Sequence, residues 1–144
     1  MRSEEEEKIL KGILFDPSVP ELVAKKRKAH DLNLDFNRLY EGETEKRKAI
    51  LRELLGSLGV NTFIQGPITF HYGYHTYIGK NTFINFNLTV QDDGEVYIGD
   101  DCALGPNVTI VTPVHPMLAE ERCAIRALDG TVKKLCYAKP VRIG

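Results

Sequence analysis

The chain has 144 residues, 42% of them hydrophobic, and a formal net charge of -1. These values are typical of one compact globular unit, and the balanced charge argues against nucleic acid or an anionic membrane as a partner. Segment 1–8 lacks the apolar core of a signal peptide, and no apolar run reaches the roughly eighteen residues of a membrane span. We therefore expect a cytoplasmic protein.

Three predicted helices occupy the N-terminal part of the chain, each opened by a hydroxyl residue with helix-capping spacing. The predicted N-caps are Ser3, Ser18 and Thr44. The predicted helices span residues 3–11, 19–37 and 44–55. The basic run Lys25–Lys28 within the second helix is interpreted as a solvated face, and binding of a phosphate-bearing cosubstrate is the alternative. Residues 1–56 are therefore predicted to form a helical cap.

From Leu58 onward, bulky apolar residues recur at steps of six, six and eight, which makes a unit of twenty residues. The members of this series are Leu58, Ile64, Phe70, Ile78, Ile84, Val90, Ile98, Leu104 and Ile110. A helix needs apolar spacings of three and four, and a half-buried strand needs strict alternation, so the series predicts a solenoid. Each six-residue segment would form one short strand of a triangular prism.

Smaller side chains are expected to point into the prism four residues after each bulky one. These positions are Thr62, Ile68, Tyr74, Thr82, Leu88, Cys102, Val108 and Val114. The glycines after Ile78, Ile98 and Leu104 are expected to serve corners that need a permissive backbone. The longer step of eight adds two residues at one corner, which we call the wide corner: residues 71–77 in the first coil and 92–97 in the second.

The repeat stops after Ile110 and resumes at Ile143-Gly144, which repeats the Ile-Gly pairs of the earlier coils. Residues 112–139 are therefore predicted to form an external loop, with a tight turn at Asp129-Gly130. Residues 57–144 would form the solenoid domain, incomplete at its C-terminus.

Seven short motifs occur in an order that resembles the maltose and galactoside O-acetyltransferases, which are hexapeptide-repeat acyltransferases. They are Phe15-Asp16-Pro17, Leu54-Leu55-Gly56, Tyr72-Gly73-Tyr74, Ile84-Asn85-Phe86-Asn87, Ile98-Gly99-Asp100, Gly105-Pro106-Asn107-Val108 and Val114-His115-Pro116. The resemblance implies a mainly β fold, a left-handed parallel β-helix preceded by an N-terminal α-helical cap. It also implies a homotrimer with active sites between subunits.

The resemblance further implies transfer of acetyl from acetyl-CoA to a sugar hydroxyl on a maltose-, glucose- or galactoside-like acceptor. His115 would be the general base and Asn85 would place the reacting hydroxyl. Asp16, His71, Asn85 and Asp93 would bind the acceptor. His71 stands where the family has a small or acidic polar residue.

The residues themselves favour direct attack assisted by a base. A sugar hydroxyl is a poor nucleophile at neutral pH, and imidazole is the side chain best suited to take its proton. No Ser or Cys has a matching base and orienter nearby, so an acyl-enzyme is not expected. Cys102, Cys123 and Cys136 are odd in number and match no metal spacing, which predicts free thiols. His75 is interpreted as a surface residue.

Compared with the family, the sequence stops two residues into a fourth coil. The acetyl-CoA contacts and the oxyanion donor are therefore expected beyond Gly144. A fragment, a truncated and weakly active enzyme, and a chain covered by another protein all remain open. Two other functions are also considered: an inactive sugar-binding or scaffold trimer, and a zinc hydratase of the same repeat class using His71, His75 and His115. The principal expectation requires no metal.

Overall fold

The computed structural model describes residues 2–144. The helices are α1 (Glu4–Leu10), α2 (Pro20–Asn37), α3 (Thr44–Leu54) and α4 (Ala119–Arg122). The solenoid strands are β1 (Ser57–Leu58), β2 (Phe63–Ile64), β3 (Ile68–Phe70), β4 (Thr76–Ile78), β5 (Phe83–Ile84), β6 (Leu88–Gln91), β7 (Val96–Ile98), β8 (Ala103–Leu104), β9 (Thr109–Val111) and β14 (Val141–Ile143). The loop between β9 and β14 carries β10 (Pro113–Val114), β11 (Ile125–Arg126), β12 (Val132–Lys133) and β13 (Tyr137–Ala138).

Strands twenty residues apart lie one above another in three parallel sheets, ordered β1-β4-β7-β14, β2-β5-β8 and β3-β6-β9. In the first sheet Leu58 pairs with Ile78 and Ile78 pairs with Ile98. Ile143 then pairs with Ile98 after the loop, so the chain rejoins the stack in the predicted register. The twenty-residue repeat therefore forms the predicted prism, with its apolar ladders buried inside.

Two of the predicted helix caps are wrong, although the helices lie close to their predicted positions. Ser3 does cap α1. α2 begins at Pro20, whose fixed φ suits a first helical turn, and the Ser18 hydroxyl instead donates to Asp16. Thr44 is the first residue of α3 and not its cap.

Two of the predicted inward positions point elsewhere. Tyr74 lies at the wide corner, where its hydroxyl donates to Glu6 at 2.5 Å. Thr76, and not Tyr74, is the fully buried residue that points into the prism at this end of β4. Val114 is 37% exposed and pairs with β13 outside the prism. Both exceptions occur where the chain leaves the six-residue rhythm.

Most tight corners use Asn or Asp for their left-handed backbone, and Gly66, with a φ of 81°, does so between β2 and β3. Within residues 2–144, the non-glycine residues with positive φ are Asn61, Asn81, Asp101, Asn87 and Asn107, spaced at twenty residues in two columns. Gly79 has an ordinary φ, and a Cβ there would lie 2.3 Å from Asp100 Oδ1. Gly79 is therefore required by the close approach of the next coil and not by its own conformation.

Within residues 2–144, no helix combines the length and the apolar character needed to cross a membrane.

Candidate active site

The loop 112–139 is attached to the solenoid at the wide corner of the second coil. The Thr112 hydroxyl donates to the Gln91 carbonyl at 2.7 Å and accepts from the Gly94 N–H at 2.9 Å. β10 then pairs antiparallel with β13, which closes the stem of the loop. These bonds place the loop residues beside Asp93, which immediately precedes Gly94.

His115 directly follows β10 and is exposed. Its Nδ1 lies 3.1 Å from the Leu135 carbonyl oxygen. A carbonyl can only accept a hydrogen bond, so Nδ1 carries a proton, and Nε2 is the nitrogen that holds the lone pair when the imidazole is neutral. This tautomer has the basic nitrogen available for a proton from a bound hydroxyl.

Asp93 is 4% exposed, and its Oδ1 has no hydrogen-bond partner among the described residues. The pKa of Asp93 is raised to about 6, chiefly by burial and also by the nearby Asp92 carboxylate, while the charge of Lys26 opposes the rise. The bond from the Gly94 N–H to the Thr112 hydroxyl holds the segment that carries His115 next to Asp93. The structure brings these two predicted residues together at one place.

His75 is not a surface residue, because it is only 8% exposed. Its Nδ1 donates to the Asp92 carbonyl oxygen at 2.7 Å. The Asp92 carboxylate accepts from the Tyr72 N–H at 2.7 Å and from the Thr76 hydroxyl at 2.8 Å, and burial raises its pKa. These bonds connect the wide corner of the first coil to that of the second. Asp92 and His75 therefore fix the backbone that carries the neighbouring Asp93.

Asp16 lies under the loop with both carboxylate oxygens occupied. Oδ1 accepts from the N–H and the hydroxyl of Ser18, and Oδ2 accepts from Lys133 Nζ at 2.8 Å. Burial alone would raise the pKa of Asp16, but the bonds from Lys133 and Ser18 lower it. Lys133 lies on β12, so this ion pair joins the loop to the helical cap.

His71 is half-buried at the wide corner of the first coil. Its Nδ1 lies 3.3 Å from Nε2 of His30 on α2, and its ring packs edge-on against Tyr72. The pKa of His71 is lowered to about 4, chiefly by burial and also by the nearby charges of Lys26 and His30. His71 is therefore a neutral imidazole at physiological pH.

Cys136 lies near Asp16, because its backbone pairs with that of Phe15. It is buried. The pKa of the Cys136 thiol is raised to about 12, chiefly by burial and also by the charges of Asp93 and Asp16. His115, Asp93, Asp16 and His71 thus gather around the wide corner.

Asn85 is not part of this group. It lies at the corner between β5 and β6, where its Oδ1 accepts from the Phe86 N–H at 2.8 Å. The whole of β6 separates it from the wide corner. A single chain therefore does not bring Asn85 to His115.

Several residues at the site were missed by sequence reasoning. Lys25, placed on a solvated face, forms an ion pair with Glu6 at 2.6 Å, and Lys26 donates to the Pro17 carbonyl at 2.8 Å. Tyr72, His30, Cys136 and Lys133 were also not singled out for the site. Their spacing in the sequence carries no periodic signal, since they come from separate elements.

No group of three or more His, Cys, Asp or Glu side chains in the described part of the chain could hold a metal ion. The zinc alternative would therefore need ligands from more than one chain.

The family model and the curated relative that match this chain both belong to sugar acetyltransferases. Residues 8–59 match the family model "Maltose acetyltransferase hexapeptide capping motif". The galactoside O-acetyltransferase of Escherichia coli (strain K12) is 37% identical over 138 residues, which is 96% of this chain and 64% of the relative. The chain thus spans just under two thirds of the length of that curated relative.

Solved structures show the same likeness in three dimensions. A galactoside acetyltransferase in complex with coenzyme A superimposes with a TM-score of 0.84 at 32% identity, covering 96% of this chain and 65% of that one. A maltose O-acetyltransferase from Clostridium difficile 630 gives a TM-score of 0.83 at 34% identity, covering 96% and 69%.

Proposed function

The chain belongs to the maltose and galactoside O-acetyltransferase family of hexapeptide-repeat acyltransferases, whose prism is a left-handed parallel β-helix, and we propose that it transfers acetyl from acetyl-CoA to a sugar hydroxyl. The observation that carries the proposal is the 3.1 Å hydrogen bond from His115 Nδ1 to the Leu135 carbonyl, which makes Nε2 the basic nitrogen, in a loop that Thr112 anchors beside Asp93. The solved relative bound to coenzyme A supports the choice of donor. The three free thiols suit a reducing compartment, and a cytoplasmic location is part of the proposal.

In this mechanism His115 is the general base. Nε2 takes the proton of the sugar hydroxyl as its oxygen attacks the acetyl carbonyl, and the imidazolium returns that proton to the departing CoA sulfur. The Leu135 carbonyl holds Nδ1 protonated throughout, which keeps the ring oriented. The residues of this chain thus orient the His115 imidazole, which removes one proton from the sugar hydroxyl.

Asp93 is proposed to accept hydrogen bonds from the sugar, because its Oδ1 is unpartnered. His71 is proposed as a neutral contact at the same corner. Asp16 is proposed as a further acceptor contact, although a sugar would have to displace Lys133 or share Oδ2 with it.

Asn85 requires a second subunit to reach this group. Within one chain it lies at a different corner of the prism from His115, so we propose that an Asn85 from a neighbouring copy completes the site. A homotrimer with sites between prisms satisfies this requirement, since each copy presents one corner to the next.

An acetyl-CoA assay over maltose, glucose, galactosides and simple alcohols tests the function, with CoA thiol release as the readout. We expect turnover with at least one sugar and a loss of at least about a hundredfold in His115→Ala. Met117→Ala is the matched control, because Met117 lies in the same loop and is 92% exposed. Equal turnover in wild type and His115→Ala would remove His115 from the mechanism, and sugar binding without any acetyl-CoA binding would favour the scaffold alternative.

A further inference from the structure

A cavity of about 290 Å³ lies between α1 and the outer face of β4. Glu6 and Leu10 of α1 line one side of it, and His75, Tyr77 and Glu95 of the prism line the other. None of the residues proposed above for catalysis or acceptor binding lines it. This space, which we call the α1 cavity, is therefore separate from the candidate active site.

His75 brings an unused hydrogen-bonding atom to the α1 cavity. Its ring is held between Tyr72 and Tyr74, with centroids 5.1 and 4.1 Å away, and its Nδ1 donates to the Asp92 carbonyl. In the neutral ring Nε2 therefore holds the lone pair. Within residues 2–144 nothing bonds to Nε2, and it is not enclosed as the Tyr72 hydroxyl is. A ligand in the cavity can thus reach a rigidly oriented acceptor.

Tyr77 and Glu95 add further bonding capacity on the same side. Tyr77 is half-buried, its ring stacks on Tyr97, and its hydroxyl bonds to nothing in the described part of the chain. The Tyr97 hydroxyl bonds to Oε2 of Glu95, which leaves Oε1 as an acceptor. The cavity therefore offers two acceptor atoms and one hydroxyl that can donate.

The charges that line the α1 cavity balance. Arg2 and Lys25 are positive, Glu6 and Glu95 are negative, and Lys25 is already paired with Glu6 at 2.6 Å. An anion would face the two carboxylates, and a cation would face Arg2 and Lys25. No metal-binding group of three or more His, Cys, Asp or Glu side chains occurs within residues 2–144. The lining thus favours an uncharged ligand.

We propose that the α1 cavity is a second ligand site, which binds a neutral polyol of about the size of a monosaccharide. Hydroxyls of the ligand donate to His75 Nε2 and Glu95 Oε1, and another accepts from the Tyr77 hydroxyl. Its C–H groups pack on the exposed Leu10 side chain. The volume lies near the lower end of the roughly 300–1,000 Å³ of ligand pockets, which suits a small ligand. This inference does not depend on acetyl transfer, because it uses no residue of that mechanism.

The test is side-chain NMR of the full chain, titrated separately with methyl glucoside and with myo-inositol. The chain has four histidines, so the ring signals of His75 and His115 can be followed individually. We expect saturable shifts of the His75 ring signals with at least one of the two polyols. In Tyr77→Phe the affinity reported by His75 should fall roughly three- to tenfold, as for the loss of one hydrogen bond.

The same substitution should leave any titration curve reported by His115 unchanged, which separates the α1 cavity from the acceptor site. Tyr40→Phe is the matched control, because Tyr40 is 83% exposed and lies outside the cavity, and its affinity should equal that of wild type. Leu10→Trp provides a second measurement: Leu10 is 39% exposed on α1, and the larger side chain should fill the cavity and abolish the His75 shifts.

The proposal is overturned if neither polyol shifts His75 in a saturable manner, or if Tyr77→Phe binds as tightly as wild type. Inorganic phosphate or acetate that shifts His75 at lower concentration than the polyols would also overturn it, since the ligand would then be an anion. Saturable His75 shifts in a protein that transfers no acetyl group would count against the proposed function alone.

Discussion

The side-chain amide of Asn33 on α2 makes two hydrogen bonds with the backbone of Phe70: Nδ2 donates to the carbonyl at 2.7 Å, and Oδ1 accepts from the N–H at 3.0 Å. Asn37, one turn later, does the same with Ile68, at 2.9 and 2.8 Å. The two amides thus occupy the place of a neighbouring strand along the open edge of β3. The helical cap closes this edge by hydrogen bonding as well as by apolar packing.

Asn33→Leu should destabilise the fold strongly. Phe70 is fully buried, so its N–H and carbonyl would lose their partners without access to water, at a cost of about 2–5 kcal/mol. Asn37→Leu should cost less, because Asn37 is exposed and water can replace it. Urea unfolding of the two variants checks the order, and equal losses would show that burial of the amide does not decide the cost of breaking these bonds.

Glu6 should make the stability of the protein fall in acid. Burial pulls its pKa upward, but bonds from Lys25, Tyr74 and Ser3 outweigh it and lower the pKa to about 2. A carboxylate whose pKa is lowered by folding stabilises above its unfolded pKa, near 4.5, and loses that contribution as the pH falls toward 2.

Between neutral pH and pH 2.5, the free energy of unfolding should therefore fall by up to about 3 kcal/mol less in Glu6→Gln than in wild type. Urea unfolding between pH 2.5 and about 7 measures it. Glu4→Gln is the control, since the Glu4 side chain is 85% exposed. If Glu6→Gln and wild type lose stability in parallel, Glu6 is not the responsible group.

Asp93 should have the opposite pH dependence. Folding raises its pKa from 3.8 to about 6, so the folded state binds more protons than the unfolded one between these values, and stability falls as the pH rises through them. We expect the stability of Asp93→Asn relative to wild type to rise by up to about 3 kcal/mol between pH 4 and 7. Unfolding titrations at several pH values test this, and a difference that stays flat with pH would contradict it.

Gly79→Ala should disrupt the stacking of the coils. The new Cβ would lie 2.3 Å from Asp100 Oδ1 and 2.7 Å from the Gly99 carbonyl carbon, so the coils would have to separate. We expect a loss of about 3 kcal/mol or more. Gly105→Ala is the matched control, because no atom lies within 4 Å of its Cβ position, and its stability should change by less than about 1 kcal/mol. Similar melting temperatures for both variants would show that Gly79 is not needed for close approach.

The twenty-residue rhythm was enough to predict which side chains lie inside the prism, because each coil repeats the same backbone geometry. Ile78, Ile98 and Ile143 pair in the predicted register although the loop intervenes. The prediction failed at Tyr74 and Val114, where the chain leaves the repeat to form the wide corner and the loop stem. The roles assigned to His115, Asn85, Asp16, His71 and Asp93 stay predictions, because no ligand contact tests them.

The sequence alone determined the solenoid, the helical cap and the family, since these depend on local periodicity and on motifs that can be read in order. Only the tertiary structure decided which polar side chains have a hydrogen-bond or ion-pair partner and which have none. Lys133 reaches Asp16 across 117 positions, and Tyr74 reaches Glu6 across 68. Such partnerships follow from where a loop and a helix pack against the wide corner, and no sequence period encodes that distance.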